Sequence, residues 1–293
     1  MASFTSTPKL LSIFGAFIVC LSPYITPSFA DSFDKKVDFI WGHENSKMDD
    51  TGKQLSLSLN TMSGSAFQSK DAYLFGRIDM QIKLVQGNSA GTVSTYYIAS
   101  PGGPNHDEVD FEFLGNVSGQ PYILHTNLFA HGTGDREQQF YLWFDPTADF
   151  HTYTFLWNPR HIAFLVDDIP IRDFKNHKDK GLFFPDSQPM NVYCSIWDGD
   201  GWATRGGLVK TDWTQSPFTV HYQNFNPQAC VSQKGSLVCY LPEGSDYYTW
   251  FGQMLAETDL EKMKWVRENY MVYDYCTDVK RFPKGVPPEC LLG

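Results

Sequence analysis

Residues 105–117 constrain this chain more than any other stretch. Within them Glu108, Asp110 and Glu112 alternate with Val109, Phe111 and Phe113. A period of two is the signature of a strand, so three carboxylates share one face and three large apolar groups share the other. The apolar face needs only a core to pack on. The acidic face is costly, because like charges that close destabilise one another and raise at least one pKa. No Lys or Thr interrupts the row, which marks it as a candidate site.

Short strands punctuated by turns extend from Asp31 to about Phe225. Clear cases are 72–84, 92–99, 120–129, 138–144, 153–157, 162–166 and 192–196, with breakers such as Pro101-Gly-Gly-Pro104, Asn158-Pro159 and Asp167-Asp168 between them. Even spacing without βα alternation predicts an all-β antiparallel sandwich over 31–225. The pattern changes after Cys230. Thr258-Asp-Leu-Glu261 reads as a capping box, and Leu260, Met263, Val266 and Tyr270 follow at helical spacing. Residues 226–293 are therefore expected to form a short extension containing one helix, docked on the sandwich.

The first 30 residues read as a secretory signal: Lys9, an apolar run from Leu10 to Leu21, and a small-x-small site at Ser28-Phe-Ala30. No later segment is apolar enough to be a membrane helix. Removing residues 1–30 from the 293 leaves 263, enough for one large all-β domain with an appendage. Lys9 is the only charge removed, so the formal charge goes from −10 to −11. An acidic secreted chain lacks the basic footprint of a nucleic-acid binder.

Five cysteines then remain, at 194, 230, 239, 276 and 290. Cys194 lies in an apolar strand pattern and reads as a buried, unpaired small hydrophobe. For the other four, local pairing as Cys230–Cys239 and Cys276–Cys290 is the simplest choice, with two other pairings open.

Glycoside cleavage with retention needs a nucleophilic carboxylate and a second carboxyl as acid then base, roughly 5–5.5 Å apart. Glu108 and Glu112 are about 13 Å apart at Cα on a straight strand, so the assignment requires a bent strand with both side chains leaning together. Asp110 between them can hold the nucleophile and separate the neighbouring pKa values. The bland alternative is an exposed acidic strand face. A Ca²⁺ site is disfavoured, because calcium loops carry Gly and small polar residues where this strand has Val and Phe. His106 beside the acids reads as a structural hydrogen-bonder.

The following strands place His125 with Asn127, and Glu137 with Gln139, Tyr141 and Trp143, on common faces. Polar groups mixed with aromatics suit sugars, which offer hydroxyl edges and apolar C–H faces. The segment Ser195–Gly207 reads as a loop with two Trp, one Arg and four Gly, shaped to present Trp202.

The strand His106–Asn116 resembles the active-site strand of plant xyloglucan endotransglucosylase/hydrolases, in glycoside hydrolase family 16. Tyr73-Leu-Phe-Gly, Gly87-Asn-Ser-Ala-Gly-Thr, Arg136-Glu-Gln-Gln-Phe, Trp202-Ala-Thr-Arg-Gly-Gly and Cys276-Thr-Asp with Arg281-Phe-Pro also resemble family sequence. The resemblance runs from about residue 37 to Cys290. It implies a curved, concanavalin-like β-jelly-roll and an extension that lengthens the cleft. It further implies Glu108 as nucleophile, Asp110 as helper and Glu112 as acid/base. Sugar-binding positions implied by it are His125, Thr126, Asn127, Asp135, Arg136, Glu137, Gly201, Trp202, Gly206 and Arg281. Asp135 stands where the family more often has Asn, and Gly201 where Asp is common. The sequon Asn116-Val-Ser118, the only one in the chain, lies where the family carries an N-glycan.

The expectation is a secreted enzyme of the cell wall and apoplast that cuts and religates xyloglucan, as a monomer without metal or cofactor and without membrane attachment once the signal is removed. A hydrolytic endo-xyloglucanase, a transferase using cellulose or mixed-linkage glucan, and a lectin-like glucan-binding module are the alternatives.

Overall fold

The computed structural model describes residues 32–232, 239–240 and 247–292. The strands are β1 (Val37–Trp41), β2 (Ser46–Met48), β3 (Gln54–Leu59), β4 (Ser65–Lys83), β5 (Thr92–Ala99), β6 (Glu108–Leu114), β7 (Ile123–Phe129) and β8 (Gln138–Tyr141). They continue as β9 (His151–Trp157), β10 (His161–Val166), β11 (Ile169–Lys175), β12 (Met190–Asp198), β13 (Phe218–Ser232), β14 (Cys239–Tyr240) and β15 (Met271–Asp274). Helices are α1 (Phe33–Lys36), α2 (Tyr247–Phe251) and α3 (Glu257–Asn269).

Every strand pair is antiparallel, and the layers meet in β4, whose 19 residues serve both. Its first half pairs with β12, opening the order β12-β5-β6-β7-β8-β15. Its second half pairs with β9 and β13, and β10 and β11 follow β9. Phe75, at φ 65°, lies where the strand passes from one layer to the other. The result is an antiparallel jelly-roll sandwich.

The apolar half of the β6 alternation is the core face. Val109, Phe111 and Phe113 are fully buried, with Phe111 4.9 Å from Phe155 and 5.3 Å from Phe164, and Phe113 4.7 Å from Tyr153, centroid to centroid. Burying each phenylalanine contributes roughly 2–3 kcal/mol. With one face of β6 committed to β9 and β10, the acids have only the opposite face.

Several boundaries differ from the sequence reading. β4 begins seven residues before Ala72. β7 starts only at Ile123, because Gln120 N–H donates to Val117 C=O and closes a turn first. β8 ends at Tyr141, whose N–H donates to Tyr270 C=O in the extension. Asp167 and Asp168, both at positive φ, form the hairpin into β11, a strand the pattern left unread. Residues 195–198 belong to β12 and not to a loop.

In the C-terminal part, α3 starts one residue before Thr258, and Asp259 accepts the Ala256 N–H at 3.3 Å in place of the expected box. Val266 is buried under it, whereas Leu260 is exposed. A single helical turn, α2, precedes it. The boundary placed at 225 falls inside β13, which continues to Ser232. Cys276 and Cys290 form a disulfide with Cα atoms 5.4 Å apart. The Cys230–Cys239 pairing involves a side chain outside the described residues, although β13 and β14 set Ser232 opposite Cys239. Cys194 is buried and in no disulfide among the described residues. The expected leader, 1–30, also lies outside them. No helix among the described residues is long and apolar enough to cross a membrane.

Candidate active site

Register assembles the site. β6 pairs with β5 and β7 without a slip from Glu108 to Leu114, so cross-strand rows run straight over the acidic face. One row places Ser195, Thr95, Glu112, His125, Gln139 and Tyr273 side by side. The neighbouring row holds Tyr193, Tyr97, Asp110 and Asn127. Thr95, Tyr97, Ser195 and Trp197 line a cavity of about 210 Å³ together with Glu108, Asp110 and Glu112.

Burial and mutual repulsion act differently on the three acids. Asp110 is the most enclosed. Loss of hydration, then the charges of Glu108 and Glu112, hold its carboxyl well above the usual range. Burial also raises Glu108, but the hydrogen bond donated by Asp110, and then His106, pull it back down. Glu112 has no such donor. Burial first, then the charges of Glu108 and Glu137, push it up to about 7. One strand face thus offers a carboxyl with a donor beside it and, four residues on, a second carboxyl raised to about 7.

His125 lies opposite Glu112, its Nε2 3.6 Å from Glu112 Oε2. Burial lowers the imidazole to about 4, so the contact is between neutral groups and is no ion pair. Gln139 Nε2 donates to His125 Nδ1 at 2.9 Å, leaving the ring proton on the nitrogen that faces Glu112.

Beneath β7 lies a cation. Arg172 of β11 is 2% exposed, and its guanidinium donates to Thr126 Oγ1 at 2.9 Å and to Thr126 C=O at 3.2 Å. It stacks over Phe164 and Tyr275, and its Nη2 has no hydrogen-bond partner among the described residues. Burial lowers it to about 10, so it stays charged behind the acid face and favours ionisation of Asp110.

The remaining expected positions divide into those that face the cleft and those that do not. Asn127 does, with its Oδ1 accepting from the N–H groups of Leu128 and Arg136. Thr126 does not: it is fully buried against Arg172, as alternation between His125 and Asn127 requires. Arg136 also turns inward. Its Nε donates to Glu289 Oε1 at 2.5 Å and its Nη1 to Thr133 C=O, tying the β7–β8 loop to the C-terminal segment. Asp135 and Glu137 both accept from Arg281, at 2.6 Å each, and Tyr273 Oη accepts from it at 3.2 Å.

Trp202 is held by the loop around it. Its N–H donates to Gly199 C=O, and the buried Thr204 hydroxyl accepts from Gly91 N–H and donates to Gly115 C=O, both at 2.8 Å. The indole lies 6.1 Å from Trp197 and 6.3 Å from His125. Gly207, at φ 83°, passes so near Gly201 that a Cβ would meet its carbonyl oxygen at 2.1 Å, so only glycine fits there. Gly201 and Gly206 face open space. Asn116 lies in the turn after β6, half-buried and not fully exposed, with Nδ2 donating to Pro121 C=O at 3.0 Å.

The sequence reading did not single out Thr95, Tyr97, Tyr193 and Tyr273 or the inward Arg172. Alternation along 92–99 contains the signal for the first two. Nothing local marks the others, because their placement depends on pairing between distant strands.

Carboxyls at alternate positions on one cleft face of an antiparallel sandwich are the arrangement that retaining glycoside cleavage uses. Residues 33–215 match the family described as Glycosyl hydrolases family 16, and residues 244–290 match the Xyloglucan endo-transglycosylase (XET) C-terminus. Probable xyloglucan endotransglucosylase/hydrolase protein 23 of Arabidopsis thaliana is 53% identical over 294 residues, covering 100% of both chains. Xyloglucan endotransglucosylase protein 1 of Diospyros kaki is 56% identical over 259 residues, covering 88% of each. A prokaryotic β-1,3-1,4-glucanase (lichenase) derived from a mouse hindgut metagenome has a similar structure, with a TM-score of 0.52 and 25% identity over 67% of this chain and 94% of its own. The chain belongs to the xyloglucan endotransglucosylase/hydrolases of glycoside hydrolase family 16.

Proposed function

We propose that this protein cleaves the β-1,4-glucan backbone of xyloglucan with retention and transfers the new end to a second xyloglucan chain. One observation carries the reading: Glu108, Asp110 and Glu112 occupy alternate positions of one unslipped strand and line a single cavity with Thr95, Tyr97, Ser195 and Trp197. In the first step a Glu108 oxygen bonds to the anomeric carbon as Glu112 gives its proton to the departing glycosidic oxygen. In the second, the Glu112 carboxylate takes the proton of an incoming 4-hydroxyl, whose oxygen displaces Glu108. Asp110 keeps its own proton and lends a hydrogen bond to the anion. His125, neutral, can donate to sugar oxygen or to ionised Glu112.

Transfer requires that an acceptor sugar outcompete water. The extension supports it by adding β15 beside β8, which brings Tyr273 into the Glu112 row and Arg281 beside it. Secretion to the cell wall, through the leader at 1–30, and an N-glycan at Asn116 complete the reading. The test mixes long xyloglucan with a labelled short xyloglucan oligosaccharide. Label is expected in the polymer. Shortening of the polymer without incorporation would identify a hydrolase, and unchanged chain length a lectin-like binder.

A further inference from the structure

The row that holds Glu112 does not end at the acids. From β6 the register carries it through Thr95 of β5, Ser195 of β12 and Ala66 of β4 to Trp41 of β1, the outermost strand on that side. Tyr273 of β15 closes the other end. We propose that Trp41 is a specificity-determining residue, the platform on which a distant sugar unit of the donor chain stacks; this rests on the transfer reading above.

A bulge puts the indole there. Phe39 pairs with Phe67 and Trp41 with Ala66, so Ile40 is the extra residue of β1. In regular register Ile40 would stand opposite Ala66 and face the cleft. Bulges at sheet edges re-aim side chains, and this one replaces an aliphatic group with an indole. The ring lies against Gly64, where a Cβ would come within 2.9 Å of its Cη2. Trp41 is nevertheless 37% exposed. Covering Ala66 and Gly64 needs only an apolar side chain, which Ile40 would have supplied. An exposed indole at the end of a polysaccharide cleft offers in addition a flat surface to sugar C–H groups.

The neighbours fit a neutral, hydroxyl-rich ligand. In the adjacent row Tyr97 and Tyr193 stack at 5.0 Å, and Gln68 follows, its amide without a hydrogen-bond partner among the described residues. Asp38, opposite Gln68, is paired with Lys70 at 3.5 Å, so neither sign of charge prevails. Distance decides which sugar is met. The four strand spacings from β6 through β5, β12 and β4 to β1 amount to roughly 19 Å along the sheet. One sugar cannot bridge that, so Trp41 meets a unit several removed from the scissile bond. Arg281 and Tyr273 lie in the opposite direction from Glu112, on the acceptor side, which leaves the Trp41 side to the donor.

Two xyloglucan oligosaccharide donors with the same leaving group test this in the full-length protein, one long enough to cross β5, β12, β4 and β1 and one that ends over β5. Trp41→Ala is expected to raise KM for the long donor about 10-fold, the scale of a lost apolar contact, with kcat unchanged and the short donor unaffected. Trp41→Phe, which keeps a flat ring, should recover most of the loss. Trp41→Ile, which keeps only apolar cover over Gly64, should behave like Trp41→Ala. Wild-type behaviour of Trp41→Ile, or equal effects of Trp41→Ala on both donors, would overturn the platform. Calorimetry with the long oligosaccharide in a Glu108→Ala background, where it is not consumed, separates the two readings. Weaker binding on adding Trp41→Ala, with no transfer by wild type, would leave the platform standing and remove the transferase reading. Transfer by wild type, with binding unchanged by Trp41→Ala, would do the reverse.

Discussion

Two groups of carboxylates stand in the same cleft under opposite conditions. Glu108, Asp110 and Glu112 lie on a strand with no Lys or Arg in ion-pair contact among the described residues, and all three carboxyls are raised chiefly by burial. Asp135 and Glu137 accept from a single guanidinium, and Asp135 is 71% exposed. The difference is in solvation and partners, since the residue types are the same. Unpaired and dehydrated carboxyls hold protons and can trade them. Carboxylates held by Arg281 instead fix a cation where sugar hydroxyls can meet it. The two groups are thus set apart within one cleft by where the arginines are.

The comparison breaks first at Glu108. Glu108→Ala should lower transfer by at least ~10⁴-fold while circular dichroism shows an unchanged fold, because no other carboxylate is placed to form the covalent intermediate.

Glu112→Gln should lower kcat by about 10²–10⁴-fold. In wild type, kcat/KM should fall as pH rises through about 7, the value to which burial lifts Glu112, and the variant's residual activity should lack that limb. Stability carries the same sign. Between the ordinary carboxyl value and about 7 the folded state binds more protons than the unfolded one, so unfolding free energy falls as pH rises across that window. Denaturant titrations should therefore find Glu112→Gln more stable than wild type at pH 8, by on the order of 2 kcal/mol, and nearly equal at pH 4.

Glu137 touches both groups, since it holds Arg281 and its charge raises Glu112. In Glu137→Gln the limb near pH 7 should move down by a few tenths of a unit, with acceptor KM raised about 5-fold. A limb that stays in place would mean that burial and the charge of Glu108 set Glu112 without Glu137.

The smallest effect belongs to Asp135→Asn. An exposed ion pair contributes little, and Glu137 still grips Arg281, so acceptor KM should rise by about 2-fold at low salt and return to the wild-type value at high salt.

The acid row was legible because period two is a local property that needs no partner strand. The same rule, applied to 125–127, puts Thr126 on the core face; treating the three residues as one binding unit overlooked it. Arg136 fell to a similar cause, since it and the buried Gln138 share a parity opposite to Glu137 and Gln139. The helix of the extension was visible in its spacing. Its N-cap is Ala256, two residues before Thr258, because Asp259 accepts the Ala256 N–H and caps the helix there.

By itself the sequence determined that one face of β6 is core and the other acidic, that the sandwich is antiparallel, and that the C-terminal part differs from what precedes it. These follow from periodicity and turn chemistry, which act over a few residues. Only tertiary structure decided which acid keeps its proton. Glu108 and Glu112 have the same side chain, and they differ in a hydrogen bond from Asp110, the charge of Glu137 and the degree to which packing excludes water. Tertiary structure also brought Arg281 to within 2.6 Å of Asp135 and Glu137, across 144 to 146 residues of chain. No local pattern encodes that distance, because it is closed by β15 pairing with β8.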